Sequence, residues 1–268
     1  MYHSITFGKD LAPVIENVNG VDVCYPYGKG EFKNTWTDWK IAPSSRPLFN
    51  PPKQKTNYID IPGSSGTLDF SESLTGYPVY DNREGSFEFY VMNDYKPWQE
   101  RYSEIMGYLH GRTMQVILDD DPKWAYQGRF SVDGWKSSPT WSMITISYNV
   151  GPYKSSIVTS VEGWAWDQFV FGTDIIWITS FKDIAIDSDV LVDKTFEGVL
   201  FGSGPICPEF VVVSTDGLGM DVQFLDKTVH LDDGKTLIPE FIFYGQSLYT
   251  VKIKGHGVIS IDFRSRRL

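Results

Sequence analysis

The chain has 268 residues and a formal net charge of −10, and 41% of its residues are hydrophobic against 22% charged. This composition is typical of a folded chain with a sizeable core, which excludes a disordered protein and a small scaffold held by disulfides or metals. Because the acidic charge repels a phosphate backbone, we expect no specific nucleic-acid binding.

The first residues, 1–8, have neither the charged start nor the continuous apolar stretch of a signal peptide, and no apolar run approaches about 18 residues. We therefore expect synthesis and folding in a cytoplasm. The two cysteines, Cys24 and Cys207, are far apart in the sequence and predict reduced thiols.

Residues 41–55 contain four prolines with polar residues between them, so a central strand or a helix there would lose backbone donors repeatedly. The pattern predicts a long projecting loop. Its middle residues, Pro47, Leu48 and Phe49, are candidate contacts of a partner-docking arm, and the alternative is a loop folded back on its own domain.

Alternating apolar and polar residues predict strands in the rest of the first half. The predicted strands are residues 86–91, 114–118, 126–135 and 143–148. A different spacing, with Trp98, Tyr102, Ile105 and Leu109 on one helical face, predicts one helix at about 97–110 that ends before Gly111.

Small and turn-forming residues at 149–156 predict a boundary between domain 1–150 and domain 151–268. Regular short strands separated by turns favour a β-sandwich in the second domain. The predicted strands there are residues 210–213, 220–225, 241–244, 248–253 and 258–263, with turns at 216–217, 233–234, 245–246 and 255–257.

A search for chemistry finds no phosphate-binding loop and no nucleophile elbow. The four histidines are scattered, and the acidic run Asp119, Asp120, Asp121 favours a turn over a cation site because consecutive side chains point in different directions. The sequence therefore nominates no catalytic residue, no metal ligand and no cofactor. An enzyme, such as a glycan hydrolase, is the least favoured class.

Aromatic residues are concentrated at the start of the second domain. Trp164, Trp166 and Trp177 are candidate contacts for a sugar or a protein partner, although core packing is the commoner fate of such residues. This cluster supports the alternative function of a carbohydrate-binding module or tail adhesin that recognises host cell-wall sugars.

The order of several local motifs resembles that of the distal tail protein family of long-tailed bacteriophages and prophages. The motifs are residues 36–39 (WTDW), 56–63 (TNYIDIPG), 68–72 (LDFSE), 74–76 (LTG), 83–89 (REGSFEF), 109–112 (LHGR), 118–121 (LDDD) and 126–130 (YQGRF). Residues 204–210 (GPICPEF) and 257–264 (GVISIDFR) resemble the final β-rich domain of the family.

The resemblance implies a mainly β protein, with an N-terminal tube or ring domain that is a β-sandwich or split barrel with one helix. It also implies a galectin-like or carbohydrate-module-like second domain. The implied function is a structural hub at the virion tail tip: a homohexameric ring, without catalysis, through which DNA passes unbound. Implied partners are the tail tube, tape-measure and tail-associated or receptor-binding proteins, with host cell-wall glycans as further candidates.

Overall fold

The computed structural model describes residues 3–18, 21–92, 96–138, 141–161, 181–197, 202–245 and 248–268. The chain divides into two compact units, Met1–Lys154 and Ser155–Leu268, close to the predicted boundary. No helix among the described residues has the length and apolar character needed to cross a membrane.

The first unit is built mainly from strands. Its elements are β1 (Ile5–Gly8), β2 (Val14–Val18), β3 (Val21–Tyr25), β4 (Phe32–Asn34), β5 (Ile41–Pro43), β6 (Tyr58–Asp60), β7 (Thr67–Asp69), β8 (Arg83–Val91), α1 (Trp98–Leu109), β9 (Arg112–Leu118), β10 (Trp124–Ser137) and β11 (Ser142–Val150), and β12 (Lys154–Ser156) follows at the division. The main antiparallel sheet has the strand order β4-β1-β9-β10-β11-β8-β5, whereas β2–β3 and β6–β7 are separate hairpins. The predicted strands of this half are therefore confirmed.

The helix lies on one face of this sheet and closes the core. Ile105 and Leu109 are fully buried, and the Trp98 ring stacks on Trp135 of β10 with a centroid distance of 3.8 Å. Gly111 has φ 71°, so it takes the left-handed conformation that follows the helix end. The predicted helix is confirmed as residues Trp98–Leu109.

A β-bulge in β10 keeps the side chain of Trp135 on the core side of the sheet. Val132 pairs with Ile146 and Gly134 pairs with Thr145, so Asp133 is an extra residue between two ladder pairs. The extra residue shifts the alternation, and Trp135 therefore lies opposite the buried Ile144, under α1.

The predicted loop at 41–55 does not project as an arm. Phe49 is only 8% exposed, and its ring lies 4.1 Å from the Tyr126 ring and 4.7 Å from the Tyr148 ring, measured between centroids. Pro47 is buried too, whereas Leu48 is 67% exposed. The hypothesis of Phe49 as a docking residue thus disagrees with its burial: the aromatic pocket beneath the segment takes up this ring.

The second unit contains a six-stranded antiparallel sheet arranged around a long central strand, and its short last strand lies outside this sheet. Its elements are β13 (Ile184–Glu197), β14 (Glu209–Ser214), β15 (Met220–Phe224), β16 (Lys227–Leu231), β17 (Gly234–Leu237), β18 (Leu248–Asp262) and β19 (Arg266–Arg267). Strand β13 pairs along one edge of β18, while β15 and then β14 pair along its other edge. Phe210, Phe224 and Phe241 lie in its buried core.

Two predictions for this half are wrong. Residues 255–257 form no turn but lie inside β18, and residues 241–244 form no strand, although Phe243 makes an isolated bridge to Ile206. Gly255 and Gly257 both have φ 142°, and a Cβ at Gly257 would lie 2.3 Å from the Val213 carbonyl oxygen. Glycine is needed there because neighbouring backbone approaches closely, a requirement that a sequence does not distinguish from a turn.

Replacing Phe49 with alanine should destabilise the first unit by about 3–5 kcal/mol, because the substitution leaves an aromatic-sized cavity in the core. The matched control is Leu48→Ala, which removes an exposed side chain and should change stability by less than about 0.5 kcal/mol. Urea unfolding followed by tryptophan fluorescence measures both. Equal midpoints for the two variants would contradict the core placement of Phe49.

Candidate functional site

The most exposed described part of the first unit is a two-stranded ribbon, residues 53–81, which we call the arm. Its base is paired by hydrogen bonds from Lys55 N to Val79 O and from Asp81 N to Lys53 O, each 2.8 Å long. Farther out, β6 and β7 pair in the register Tyr58 to Asp69 and Asp60 to Thr67. Every residue from 53 to 70 is exposed.

The arm carries six large apolar side chains that are at least 40% exposed. They are Tyr58, Ile59, Ile61, Leu68, Phe70 and Leu74, and Leu74 is 99% exposed. An isolated two-stranded hairpin is marginally stable in water, and contiguous apolar exposure marks an interaction surface. The arm therefore has the properties of a segment that becomes covered by another molecule.

A buried arginine joins the two ends of the arm to the core. Arg83 is 6% exposed, and its guanidinium donates from Nε to the Pro152 carbonyl at 2.9 Å and from Nη1 to the Asn50 carbonyl at 3.1 Å. The same group lies 5.5 Å from the Tyr126 ring centroid, within the range of a cation–π contact. Because Asn50 precedes the arm and Arg83 follows it, this one side chain fixes the distance between its ends.

A tyrosine hydroxyl supports the same junction. The Asn50 backbone N–H donates to the Tyr148 hydroxyl at 2.9 Å, while the Asn50 amide donates to the Glu84 carbonyl at 2.8 Å. Burial raises the pKa of Tyr148 above its ordinary value, so the hydroxyl stays protonated at neutral pH. The arm thus emerges from a rigid base.

An open groove of about 810 Å³ lies beside that base. Its polar groups form a chain in which the Asn82 amide donates to Asn149 and the Asn149 amide donates to Glu84, each at 2.7 Å. Lys53 and Tyr80 also line it. The groove offers hydrogen-bonding groups to whatever lies against the base of the arm.

The face of the main sheet opposite the core is polar. In β8 the buried Phe87 and Phe89 alternate with the exposed Ser86, Glu88 and Tyr90. The neighbouring strands continue this face with further hydroxyl, amide and charged side chains, namely Gln127, Arg129, Ser131 and Asp133 of β10 and Thr145, Ser147 and Asn149 of β11. This face is solvated and carries more carboxylates than cations.

Each aspartate of the acidic run 119–121 contacts another side chain or backbone group of the protein. The Ser4 backbone N–H donates to Asp119 at 2.9 Å, Asp120 pairs with Arg46 at 2.7 Å, and Asp121 pairs with Lys154. These contacts support the interpretation of the acidic run as a turn. The Arg46 hydrogen bond lowers the pKa of Asp120. Among the described residues, no group of three or more His, Cys, Asp or Glu is placed to hold a metal ion.

The histidines are likewise engaged in local contacts. His110 accepts a hydrogen bond at Nδ1 from the Val132 backbone N–H at 3.2 Å. His230 lies 2.7 Å from Asp221 and His256 lies 2.7 Å from Asp187, and these carboxylates raise the pKa of each histidine above its ordinary value. The structure brings no pair of these histidines into one site within the described chain.

Sequence reasoning placed the projecting segment too early. The prolines of residues 41–55 indicated exposure, but the arm begins at residue 53. A usable signal was present: residues 58–69 combine two short apolar strands with the turn residues Pro62, Gly63 and Gly66, and no helix or third strand follows at once to cover them. The predicted contacts Trp164, Trp166 and Trp177 lie outside the described residues.

No protein-family model matches the sequence, and no curated protein sequence matches it significantly. A search of solved structures finds the Dit protein (gp 19.1) of phage SPP1, which is presented as a paradigm of the hub adsorption apparatus in phages that infect Gram-positive bacteria. The likeness has a TM-score of 0.58 at 14% sequence identity and covers 98% of this chain and 99% of that one. The chain therefore has a Dit-like, mainly β fold over its whole length.

Proposed function

We propose that this protein is a structural hub of a phage tail tip, in which copies of the first unit close into a hexameric ring that links the tail tube to the baseplate or host-adsorption proteins. The exposed apolar arm carries this proposal. The Dit-like fold supports it because the solved protein of that fold belongs to a hub adsorption apparatus.

Ring closure requires a heterologous interface, in which one surface of a copy contacts a different surface of the next. The arm supplies one such surface, with Tyr58, Ile59 and Leu74 as apolar anchors. The groove at its base, lined by Lys53, Tyr80 and Asn82, supplies polar groups for the rim of the contact. An apolar centre with a polar rim is the usual composition of a stable protein interface.

The polar face of the main sheet is suited to line the channel of such a ring. Three carboxylates, Glu84, Glu88 and Asp133, outnumber the two cations Arg129 and Lys136 on this face. The Arg129 guanidinium is already bonded to the Gly111 carbonyl at 2.6 Å. Excess carboxylate repels phosphate, so DNA is able to pass without being held. Hydroxyl and amide side chains keep the wall hydrated.

The second unit, together with its partners, would lie at the periphery of the ring and receive tail-associated or receptor-binding proteins. This role needs no catalysis. Recognition of cell-wall sugars by Trp164, Trp166 or Trp177 stays a prediction, because these residues lie outside the described part of the chain.

Replacing Leu74 with serine should weaken ring formation at least about 10-fold in the concentration needed for assembly, because an interface anchor is worth about 1.4 kcal/mol or more. Light scattering coupled to size exclusion, with negative-stain imaging, measures the assembly. Leu48→Ser is the matched control, since Leu48 is exposed but lies outside the arm. A wild-type protein that stays monomeric, also with tail-tube protein present, would contradict the proposal.

Reversing the charge of the channel face should create DNA binding. The double substitution Glu84→Lys, Glu88→Lys should raise the affinity of the assembled ring for a short DNA duplex, and the gain should disappear as salt is increased. Fluorescence anisotropy with labelled duplex measures the affinity. Lys substitution at Glu209 and Glu240 of the second unit is the control for total charge. Tight DNA binding by the wild-type ring at physiological salt would refute the channel assignment.

A further inference from the structure

Strand β13 contains a large β-bulge near the middle of its length. Ser188 pairs with Gly255 and Val192 pairs with Ile253, so three residues of β13 lie opposite the single residue Lys254 of β18. The bulge has a defined shape, because the Ser188 hydroxyl donates to the Val190 carbonyl at 2.8 Å and accepts from the Val190 backbone N–H at 3.2 Å.

The bulge presents apolar side chains outward. Val190 is 68% exposed, Leu191 38% and Val192 37%. We call residues 190–192 the knob. Consecutive exposed aliphatic side chains on an edge strand are an aggregation hazard unless something covers them or charges surround them.

Charged side chains surround the knob, and the most exposed of them are aspartates. The side chains of Asp187, Asp189 and Asp193 are 93%, 94% and 66% exposed. The basic side chains that face them are Lys252, 3.9 Å from Asp193, and His256, which lies 2.7 Å from Asp187 and 3.2 Å from Asp189. Lys254, next along β18, lies 3.9 Å from Asp221 instead.

We propose that the knob is a docking site for a different protein of the tail, which receives Val190 and Leu191 in an apolar pocket bordered by lysine or arginine side chains. This proposal rests on the proposed hub function and names the chemistry of one peripheral partner. Apolar anchors within a charged rim match the composition of binding hot spots, in which the rim excludes water and the anchors supply affinity.

Charge and side-chain chemistry favour this partner over three other candidates: a second copy of the chain, an anionic membrane and a sugar. A self-contact between the knobs of two copies is disfavoured because it would set the same three exposed aspartates against each other. An anionic membrane is disfavoured by the same three aspartates. A sugar is disfavoured because the knob contains no aromatic ring on which a sugar face stacks. The partner's basic rim would accelerate association and make it sensitive to salt.

The test uses assembled tails that carry a photo-reactive residue at position 190, with position 237 as the matched control. Leu237 is 54% exposed on β17, on the far side of β14 and β18 from β13. After irradiation, mass spectrometry identifies the crosslinked peptide. We expect crosslinks from position 190 to a different tail protein, at an apolar stretch within a few residues of lysine or arginine, and at least a 10-fold lower yield from position 237.

Charge reversal supplies a second measurement. Asp187→Lys with Asp189→Lys should lower the incorporation of the identified partner into tails at least 10-fold, whereas Leu237→Asp should leave it unchanged. Crosslinks from position 190 to a second copy of this chain, or none above the control, would overturn the docking proposal.

The purified charge-reversed protein separates this proposal from the hub function. If it forms the same rings as the wild type while its partner is lost from tails, both proposals are supported. If neither protein forms rings, the hub function fails, while a crosslink from position 190 to a basic-rimmed pocket still supports docking. If the charge-reversed protein forms rings and the tails still contain the partner in undiminished amount, the docking proposal alone is overturned.

Discussion

The buried guanidinium of Arg83 is the contact on which the architecture of the first unit depends. It accepts no hydrogen bonds and is always charged, so burying it is costly unless carbonyl groups and an aromatic face surround it. The Asn50 and Pro152 carbonyls and the Tyr126 ring provide that environment. A neutral replacement would remove the donor that these two carbonyls share and would weaken the connection between the two ends of the arm.

Fixing the ends of the arm has an energetic consequence for association. A ribbon with free ends would lose conformational entropy on binding, whereas a ribbon held at Asn50 and Arg83 has lost part of it already. Phe49 contributes to the same rigidity, because its ring is locked among Phe87, Tyr126 and Tyr148. The core of the first unit thus holds the base of the arm rigid, while the apolar side chains of the arm remain exposed. The proposed assembly role rests on this division between a rigid base and an exposed apolar ribbon.

Local patterns predicted most of the fold, and tertiary contacts decided the rest. Strands β8 to β11 and helix α1 follow from alternation and helical spacing, because each buries one face against the same core. The Gly255–Gly257 segment was misassigned because a close approach of Val213 and a tight turn both require glycine. Phe49 was misplaced because its pocket is formed by residues far along the chain, which proline spacing does not reveal. The arm was missed because its apolar residues look like those of a core strand, and only its turn residues Pro62, Gly63 and Gly66 distinguish it.

Hydrogen exchange of the arm amides tests the central claim most directly, because it compares the same residues in free and assembled protein. The amides of β6 and β7 should exchange rapidly in dilute protein and slow at least 10-fold at concentrations where rings are seen, while the amides of β10 and β11 stay protected throughout. Equal exchange of the arm amides in dilute and assembled protein would show that the arm is not the surface that joins the copies.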